Sequence, residues 1–394
     1  MDPLIETEKK YGSGLYSLRP FRIERGEGVY LYSNDGTKYL DFMSGHGVAC
    51  LGHKNPSLVR AIKEQADKLI TLHSSYPTEV RARFLEKMAE ITPKPLSRTF
   101  MVNSGTEAVE GALKLALANR REVKNPNIVA MKRSFHGRTL GSLAMTFNPK
   151  YRRAFQETLN PYIRFASFND IEDVKEKLDE NTVAIITELV QGEGGVYPAS
   201  PKFAKQLREL CTEKDILFIA DEVQTGFGRC GEFFACDHYK VLPDILCTAK
   251  GTGGGFPMGT IVSTPEIFKM IKKGEHASTF GGNPLAAAAG LATIDYIQNN
   301  NVIGNVKAMS NILFERIGEL PDEMIREVRG LGLLIGIQLR KRAGSYLRYC
   351  AMKRQVLFLP AGMTVLRMLP PLIITESNVD KAIDAVGTAL MDVK

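Results

Sequence analysis

Between about residues 57 and 290, helix-like segments alternate with short apolar runs, and this alternation is the strongest constraint on the fold. The runs are rich in Val and Ile, and polar turns follow them. The clearest are residues 99–102, 128–131, 183–186, 216–220 and 259–262. Such runs are typical of strands buried on both faces of a mainly parallel sheet. The sequence therefore predicts an α/β fold, with ligand chemistry beyond the carboxyl ends of the strands.

The two ends of the chain have a different pattern. Residues 28–42 alternate apolar and polar positions on either side of an Asn-Asp-Gly turn at 34–36, which predicts a β-hairpin. Towards the carboxyl end we predict a helix near residues 285–300 and strands at 333–339 and 365–368. The ends therefore predict a second unit of the α+β type.

The length of 394 residues is large for one simple core and favours two domains. We predict a large domain at residues 57–290. A smaller α+β domain is predicted from residues 1–56 together with residues 291–394.

Composition argues against several other classes of protein. No apolar run could cross a bilayer and residues 1–6 lack a signal-peptide pattern, so we expect a cytoplasmic protein without a membrane partner. The six cysteines form no Cys-x-x-Cys pair, and we expect no metal site. The net charge of +7 indicates either a mildly basic surface or an anionic partner. Because Lys and Arg are spread along the whole chain, we expect no nucleic-acid partner.

The first predicted strand end leads into Ser104, Gly105 and Thr106 at the start of a helical segment. Free backbone N–H groups and hydroxyl donors at a helix start can bind a phosphate. The alternative is an ordinary capping box, since Ser104 and Glu107 have its spacing.

The second and third strand ends carry an aromatic residue, an arginine and two acids. Phe135 could stack on a flat heterocycle and Arg138 could bind a carboxylate, or they could be a core residue and a solvated cation. Glu188 and Glu193 flank a glycine turn, where they could restrain an arginine or lie in solvent.

Asp221 follows the fourth of these runs. Lys250 lies between a further apolar run and a glycine cluster, within residues 243–257. A buried aspartate is costly unless it is paired, and a protonated heterocyclic nitrogen would pair it. A desolvated lysine has a lowered pKa and becomes an amine nucleophile, as Schiff-base chemistry requires. The alternative for Lys250 is a surface lysine that reaches into solvent.

In combination and in this order, these segments resemble the class III aminotransferases. The likeness covers nearly the whole chain. It is carried by Ser-Gly-Thr-Glu-Ala at 104–108, Phe-His-Gly-Arg-Thr at 135–139, Asp-Glu-Val-Gln-Thr-Gly-Phe-Gly-Arg at 221–229 and Ser-Thr-Phe-Gly-Gly-Asn-Pro at 278–284. The resemblance implies fold type I of the enzymes that use pyridoxal 5'-phosphate (PLP), with a mainly parallel seven-stranded sheet flanked by helices.

The resemblance also implies how PLP is held. Lys250 would hold it as a Schiff base and, once displaced by substrate, move a proton between the substrate carbon and the cofactor's C4'. Asp221 would pair with the pyridine N–H. The other implied contacts are Ser104, Gly105 and Thr106 at the phosphate, Phe135 stacked on the ring, Val223 behind it, Gln224 at the ring hydroxyl, and Thr279 from the second subunit of a homodimer.

On the substrate side, the resemblance implies that Arg367 binds the α-carboxylate of glutamate or 2-oxoglutarate. Glu193, with Glu188 nearby, would mask that arginine when an ω-amino substrate binds. Arg138 and Tyr16 match positions that bind the distal carboxylate in ornithine-type members.

Within the class, the chain is most similar to acetylornithine aminotransferases and to enzymes that aminate a semialdehyde attached to an acidic amino-group carrier protein (LysW). The segments at 45–53, 274–279 and 328–333 carry this likeness. It implies a role in lysine biosynthesis, arginine biosynthesis or both. It also implies that the basic net charge attracts the acidic carrier protein. Two departures from the usual pattern are His46 in the substrate region and Leu189 in place of a proline.

Three alternative functions stay open. An ornithine or 4-aminobutyrate ω-aminotransferase has the same chemistry. Glutamate-1-semialdehyde aminomutase has the same fold, but the pairing of Glu193 with Arg367 favours external glutamate. A catalytically silent PLP-binding protein is disfavoured by Lys250 and Asp221.

Overall fold

The structure, a computed structural model, describes residues 2–393. Its strands are β1 Ile23–Glu27, β2 Tyr30–Ser33, β3 Lys38–Asp41, β4 Arg98–Val102, β5 Asn127–Met131, β6 Ile163–Ala166, β7 Thr182–Thr187, β8 Val190–Gln191, β9 Tyr197–Pro198, β10 Leu217–Asp221, β11 Ile245–Thr248, β12 Gly259–Ser263, β13 Ile325–Leu331, β14 Leu334–Leu339, β15 Val356–Leu357, β16 Leu359–Ala361 and β17 Val365–Met368.

The helices surround and connect these strands. They are α1 Pro3–Tyr11, α2 Ser44–Gly47, α3 Pro56–Ala66, α4 Glu79–Ile91, α5 Gly105–Ala118, α6 Leu140–Ala144, α7 Pro149–Arg152, α8 Ile171–Lys177, α9 Pro201–Glu213, α10 Ala235–Tyr239, α11 Pro265–Lys269, α12 Pro284–Asn299, α13 Val302–Gly318, α14 Ala343–Lys353 and α15 Glu376–Asp392. Turns of 3₁₀ helix occupy Arg153–Thr158, Lys250–Gly253 and Asp322–Met324.

The central sheet of the described chain has seven strands in the order β4-β12-β11-β10-β7-β5-β6. Among the described strands of this sheet, only β12 runs antiparallel to its neighbours. The pairs from β11 to β6 are parallel. All five predicted runs are strands of this sheet. The predicted α/β fold with a mainly parallel seven-stranded sheet is therefore confirmed.

Both faces of the central sheet are covered. Along β5, Ile128 and Ala130 pack on the face that α5 covers, whereas Val129 and Met131 join the core on the opposite face, which includes residues of α9. Successive side chains of a strand point to opposite faces, so a strand covered on both sides must be apolar throughout. This burial explains why β5 and β7 have continuous apolar runs rather than alternation.

The two chain ends come together in smaller sheets. One has the order β1-β2-β3-β15 and includes the predicted hairpin, and another has the order β13-β14-β17-β16 and includes the two predicted carboxyl-terminal strands. In the first, Leu40 pairs with Val356. The predicted helix near 285–300 is α12, which packs against α3. The proposed domain boundaries at 56/57 and 290/291 stay a prediction.

A buried arginine joins the central sheet to the chain-end sheets. Arg229, which follows β10, is 2% exposed and donates from Nη1 to the carbonyl oxygens of Leu333 at 3.0 Å and Pro370 at 2.6 Å. Burial lowers the pKa of Arg229 to about 10. Within residues 2–393 it has no carboxylate within ion-pair distance, so its binding partners are main-chain carbonyls. Arg229 therefore fixes the chain segment that follows Arg367 relative to the central sheet.

Three further features of the described residues concern disulfide bonds, metal ligands and membrane-spanning helices. All six cysteines are buried thiols without disulfide bonds. In residues 2–393 there is no cluster of three or more His, Cys, Asp or Glu side chains suited to a metal ion. No helix in that range has the length and apolar character needed to span a bilayer.

We expect Arg229→Ala to lower the free energy of unfolding by about 3 kcal/mol, because two buried carbonyl groups lose their donor. Urea unfolding followed by circular dichroism measures this. Arg348→Ala, at an exposed position of α14, is the control and should change stability by less than about 0.5 kcal/mol. Equal stability of the two variants would show that the Arg229 contacts do not stabilise the fold.

Candidate active site

A cavity of about 410 Å³ opens at the carboxyl ends of the central strands. It lies where a parallel α/β sheet is expected to bind its ligand. The predicted site residues that line it are Ser104, Gly105, Thr106, Phe135, Arg138, Glu188, Glu193, Asp221, Val223, Gln224 and Lys250. The structure therefore brings together residues that are far apart in the sequence.

The start of α5 forms one end of the cavity. Ser104 caps this helix, with its hydroxyl accepting from the backbone N–H of Glu107 at 3.4 Å. A Cβ on Gly105 would lie 2.7 Å from Val223 Cγ1, so only glycine fits there. The Thr106 hydroxyl exchanges hydrogen bonds with Thr139 at 2.8 Å and Ser142 at 2.7 Å. Ser104 thus caps the helix, but the capping box is incomplete, because the Glu107 carboxylate accepts from the backbone N–H of Asn103 and not of Ser104. The same helix start retains the free N–H groups of a phosphate cradle.

Asp221 is at the end of β10 and is 4% exposed. Its Oδ1 accepts from the backbone N–H of Val223 at 3.1 Å, and its Oδ2 lies 2.6 Å from Nδ1 of His136. Nε2 of His136 is buried without a partner. The His136 contact therefore orients the carboxylate and leaves it able to accept one more donor from the cavity.

His136 is a functional residue that the sequence reasoning missed. It belongs to the Phe-His-Gly-Arg-Thr segment, but that segment drew attention to Phe135 and Arg138. Its partner Asp221 is 85 residues away in the sequence, and only the neighbouring strand ends bring the pair together. A histidine beside an aromatic residue carries no sequence signal of such a partner.

Glu188 lies between the loop after β5 and the glycine turn. It accepts from the backbone N–H groups of Phe135 at 3.0 Å and Gly192 at 3.3 Å. Burial raises the pKa of Glu188 to about 7; His136 opposes this shift and Asp221 adds to it. The side chain is 6% exposed, so Glu188 is a buried loop anchor rather than a solvated acid.

Lys250 follows β11 and begins a short 3₁₀ turn. Its φ of 45° lies in the left-handed region, which is uncommon for a residue with a side chain and is concentrated at functional sites. Desolvation lowers the pKa of Lys250, against the opposing effect of Glu193 and Asp221. The surface-lysine interpretation is therefore wrong for this residue, which lines the cavity as a partly buried amine.

Arg367 and Glu193 form a salt bridge of 2.6 Å; Glu193 lines the cavity, whereas Arg367 lies behind it and is not among the lining residues. The Arg367 side chain is 0% exposed, and its Nη1 also donates to Gln224 Oε1 at 3.3 Å. Nε and Nη2 of Arg367 are buried without partners. Burial acts to raise the pKa of Glu193, but the positive charge and hydrogen bond of Arg367 outweigh it and bring the pKa below its ordinary value. The guanidinium therefore has donors left for a further carboxylate.

Arg138 lies at the open side of the cavity. Its guanidinium carbon is 3.6 Å from the ring centre of Tyr151 and 5.5 Å from that of Phe135. Phe135 and Tyr151 make an edge-to-face contact with centres 6.0 Å apart. Arg138 is exposed, so it can bind an anion at the entrance.

Tyr16 and Thr279 do not line the cavity of their own chain. Tyr16 is 83% exposed, and Thr279 is also exposed. Both assignments stay predictions, and the one for Thr279 concerned the second subunit from the outset.

His46 lies in a strained turn that no sequence pattern predicts. Every residue of Ser44–Gly47 has a positive φ, and that of His46 is 64°. Asp41 stabilises the turn by accepting from the backbone N–H of Ser44 at 3.0 Å, and it is held in turn by His53 Nε2 at 2.7 Å. A left-handed turn is costly for residues other than glycine, and strain of this kind is concentrated at functional sites. The role of His46 stays a prediction.

Comparison with known proteins identifies the family to which the chain belongs. The family described as Aminotransferase class-III matches residues 15–390. The [LysW]-aminoadipate semialdehyde/glutamate semialdehyde transaminase of Sulfolobus acidocaldarius is 41% identical, over 96% of this chain and 97% of that protein. The acetylornithine aminotransferase of Archaeoglobus fulgidus is 42% identical, over 96% of this chain and 98% of that protein.

Among solved structures, the ornithine aminotransferase from Toxoplasma gondii has a TM-score of 0.94 at 27% identity. The match covers 99% of this chain and 94% of that chain. The cofactor is pyridoxal 5'-phosphate, for which the α5 cradle, Asp221 and Lys250 have the required donors, acceptor and amine. The chain belongs to the class III aminotransferases, PLP-dependent enzymes of fold type I.

Proposed function

We propose that this aminotransferase uses glutamate to aminate an ω-semialdehyde attached to an acidic amino-group carrier protein, for lysine or arginine biosynthesis or both. The main support is the ion pair of Arg367 with Glu193 beside Lys250, which suits an ω-amino substrate with glutamate as the amino donor. The names of the Sulfolobus and Archaeoglobus relatives support the semialdehyde class. N-acetylglutamate semialdehyde is the second candidate acceptor, favoured by the second of these relatives.

The residues of the proposed cofactor site have separate roles. When bound, PLP supplies an aldehyde that carries the amino group and a ring that withdraws electrons from the reacting carbon. Asp221 accepts a hydrogen bond from the ring nitrogen and keeps it protonated, while His136 holds the carboxylate in place. The N–H groups at the start of α5 and the Thr106 hydroxyl hold the phosphate. Phe135 packs on one side of the ring and Val223 on the other.

Lys250 is the proposed proton carrier. Desolvation lowers the pKa of Lys250 and so favours the uncharged form, which is the form that would remove a proton from the reacting carbon of the substrate and return it at C4' of the cofactor. The partly buried position limits the access of water to that proton.

Arg367 and Glu193 are the proposed switch between two unlike substrates. When an ω-amino substrate binds, Glu193 neutralises Arg367 and an uncharged chain can lie against the pair. When glutamate binds, its α-carboxylate takes the free Nε and Nη2 donors of Arg367. The distal carboxylate is proposed to bind Arg138 at the entrance.

A homodimer completes the proposed site. Thr279 is exposed and outside its own chain's cavity, and the adjoining Phe280 is 62% exposed. We propose that this exposed segment contacts the second subunit. Through this contact Thr279 would reach the phosphate of the second subunit.

We expect the purified protein to be yellow, with an absorbance band that sodium borohydride removes. Lys250→Ala should lower turnover with glutamate by about 10³-fold or more, because the proton carrier is gone. Lys353→Ala, on the exposed part of α14, is the control and should retain turnover. Unchanged turnover of Lys250→Ala would contradict the assignment of this residue.

We expect Glu193→Gln to impair the half-reaction with the ω-amino substrate by about tenfold or more and to spare the one with glutamate. The variant leaves the Arg367 charge unneutralised unless an α-carboxylate binds it. Single-turnover rates with each substrate separate the two effects. Glu327→Gln, which removes an acid from the buried Arg329 outside the cavity, is the control. An equal loss in both half-reactions would rule out the switch.

We expect kcat/KM for the carrier-linked semialdehyde to exceed that for free N-acetylglutamate semialdehyde by about tenfold or more, since only the former adds contacts outside the cavity. Glutamate-dependent amination assays with both acceptors measure this ratio. A preference for the acetylated acceptor would select the second candidate. In the reverse direction, a preference for 4-aminobutyrate over the ω-amines formed from these two acceptors would overturn the proposal.

A further inference from the structure

The entrance of the cavity is continuous with a basic surface segment. Arg138 lines the cavity and stacks on Tyr151, with 3.6 Å between the guanidinium carbon and the ring centre. Tyr151 belongs to α7 and is followed by the 3₁₀ turn Arg153–Thr158. Lys150 and Arg153 therefore lie within two residues of the aromatic residue on which Arg138 stacks.

Three exposed cations lie in this region. Arg138, Lys150 and Arg153 are exposed, and we call them the basic rim. None of the three has a carboxylate within 4.0 Å among the residues that the structure describes, whereas Lys175, Lys307 and Arg316 elsewhere on the surface do. The rim has a positive charge that the rest of this chain leaves uncompensated.

The composition of the segment supports a binding role. Residues 149–158 include Lys150, Arg152 and Arg153 but a single acid, Glu157. Phe155 in the same segment is 50% exposed. Arg together with exposed aromatic side chains is enriched where proteins bind partners.

The geometry of the substrate path leads to the same place. A semialdehyde that reacts at Lys250 and binds its distal carboxylate at Arg138 spans the cavity from the inside to the entrance. A carrier attached to the carbon that bears this carboxylate would leave the cavity beside Arg138. The body of a carrier would therefore come to lie against Lys150 and Arg153.

We propose that the basic rim, formed by Arg138, Lys150 and Arg153, is the docking surface for the acidic carrier protein. This inference rests on the proposed carrier-linked substrate. Opposite charges increase the rate of encounter and orient the partner, and the effect weakens as salt rises. Lys150 and Arg153 act only on the carrier, because neither lines the cavity.

The test compares two charge-reversal variants in the amination direction with glutamate as donor. The rim variant is Lys150→Glu with Arg153→Glu. The control is Lys124→Glu with Lys214→Glu, which changes the net charge equally in the loops that lead into the amino ends of β5 and β10, at the opposite edge of the sheet. The acceptors are the carrier protein bearing its semialdehyde and free N-acetylglutamate semialdehyde. Circular dichroism and the cofactor absorbance band check folding.

At low salt we expect the rim variant to lose about tenfold or more in kcat/KM for the carrier-linked acceptor and to stay within about twofold for the free one. The wild type should lose its advantage with the carrier as salt rises, and the rim variant should respond less. Lys150→Gln with Arg153→Gln should lie between the two. The control should match the wild type with both acceptors.

Three results would overturn the docking surface: an unchanged rate with the carrier, an equal loss with both acceptors, or an equal loss in the control variant. A wild type that aminates the free acceptor and ignores the carrier-linked one would instead refute the proposed substrate. The proposal about the rim would then fail with it.

Discussion

The site depends on the burial of charged side chains near the carboxyl ends of the central strands, because each buried charge needs a partner. Asp221 and Arg367 are almost completely buried there, and each isolated charge would be strongly unfavourable. The fold compensates by bringing a partner from another strand or loop to each of them: His136 to Asp221 and Glu193 to Arg367. Residues that are separated along the chain are therefore tied to one another, and the sheet sets the distances between them.

The two pairs differ in how complete they are. Asp221 has a hydrogen bond to each carboxylate oxygen and is held in one orientation, as its proposed role opposite the ring nitrogen requires. Arg367 has a single carboxylate partner and two donors without partners. Glu193 is 26% exposed in its side chain, so it is the member that can give way. The structure thus combines a carboxylate with both oxygens hydrogen-bonded and an arginine with donors to spare, as the proposed switch requires.

Much of the fold could be predicted from the sequence because the strands of the central sheet are buried on both faces and are apolar throughout. Other elements could not. In β1, Ile23 is the one apolar side chain, and β15 and β16 are too short for any periodicity to emerge. The order of the strand-end segments was enough to indicate the site, but it does not identify contacts across the sheet, such as that of His136, or the left-handed turn at Ser44–Gly47. Those depend on tertiary packing rather than on local pattern.

The parallel pairing of Leu40 with Val356 has a consequence for how the protein matures on the ribosome. At synthesis rates of roughly 5–20 residues per second, the hairpin β2–β3 waits about 15–60 seconds before β15 exists. During that interval the edge of β3 has unpaired main-chain groups, while the central sheet can already collapse. The sheet β1-β2-β3-β15 is therefore completed only after every strand of the central sheet has been synthesised.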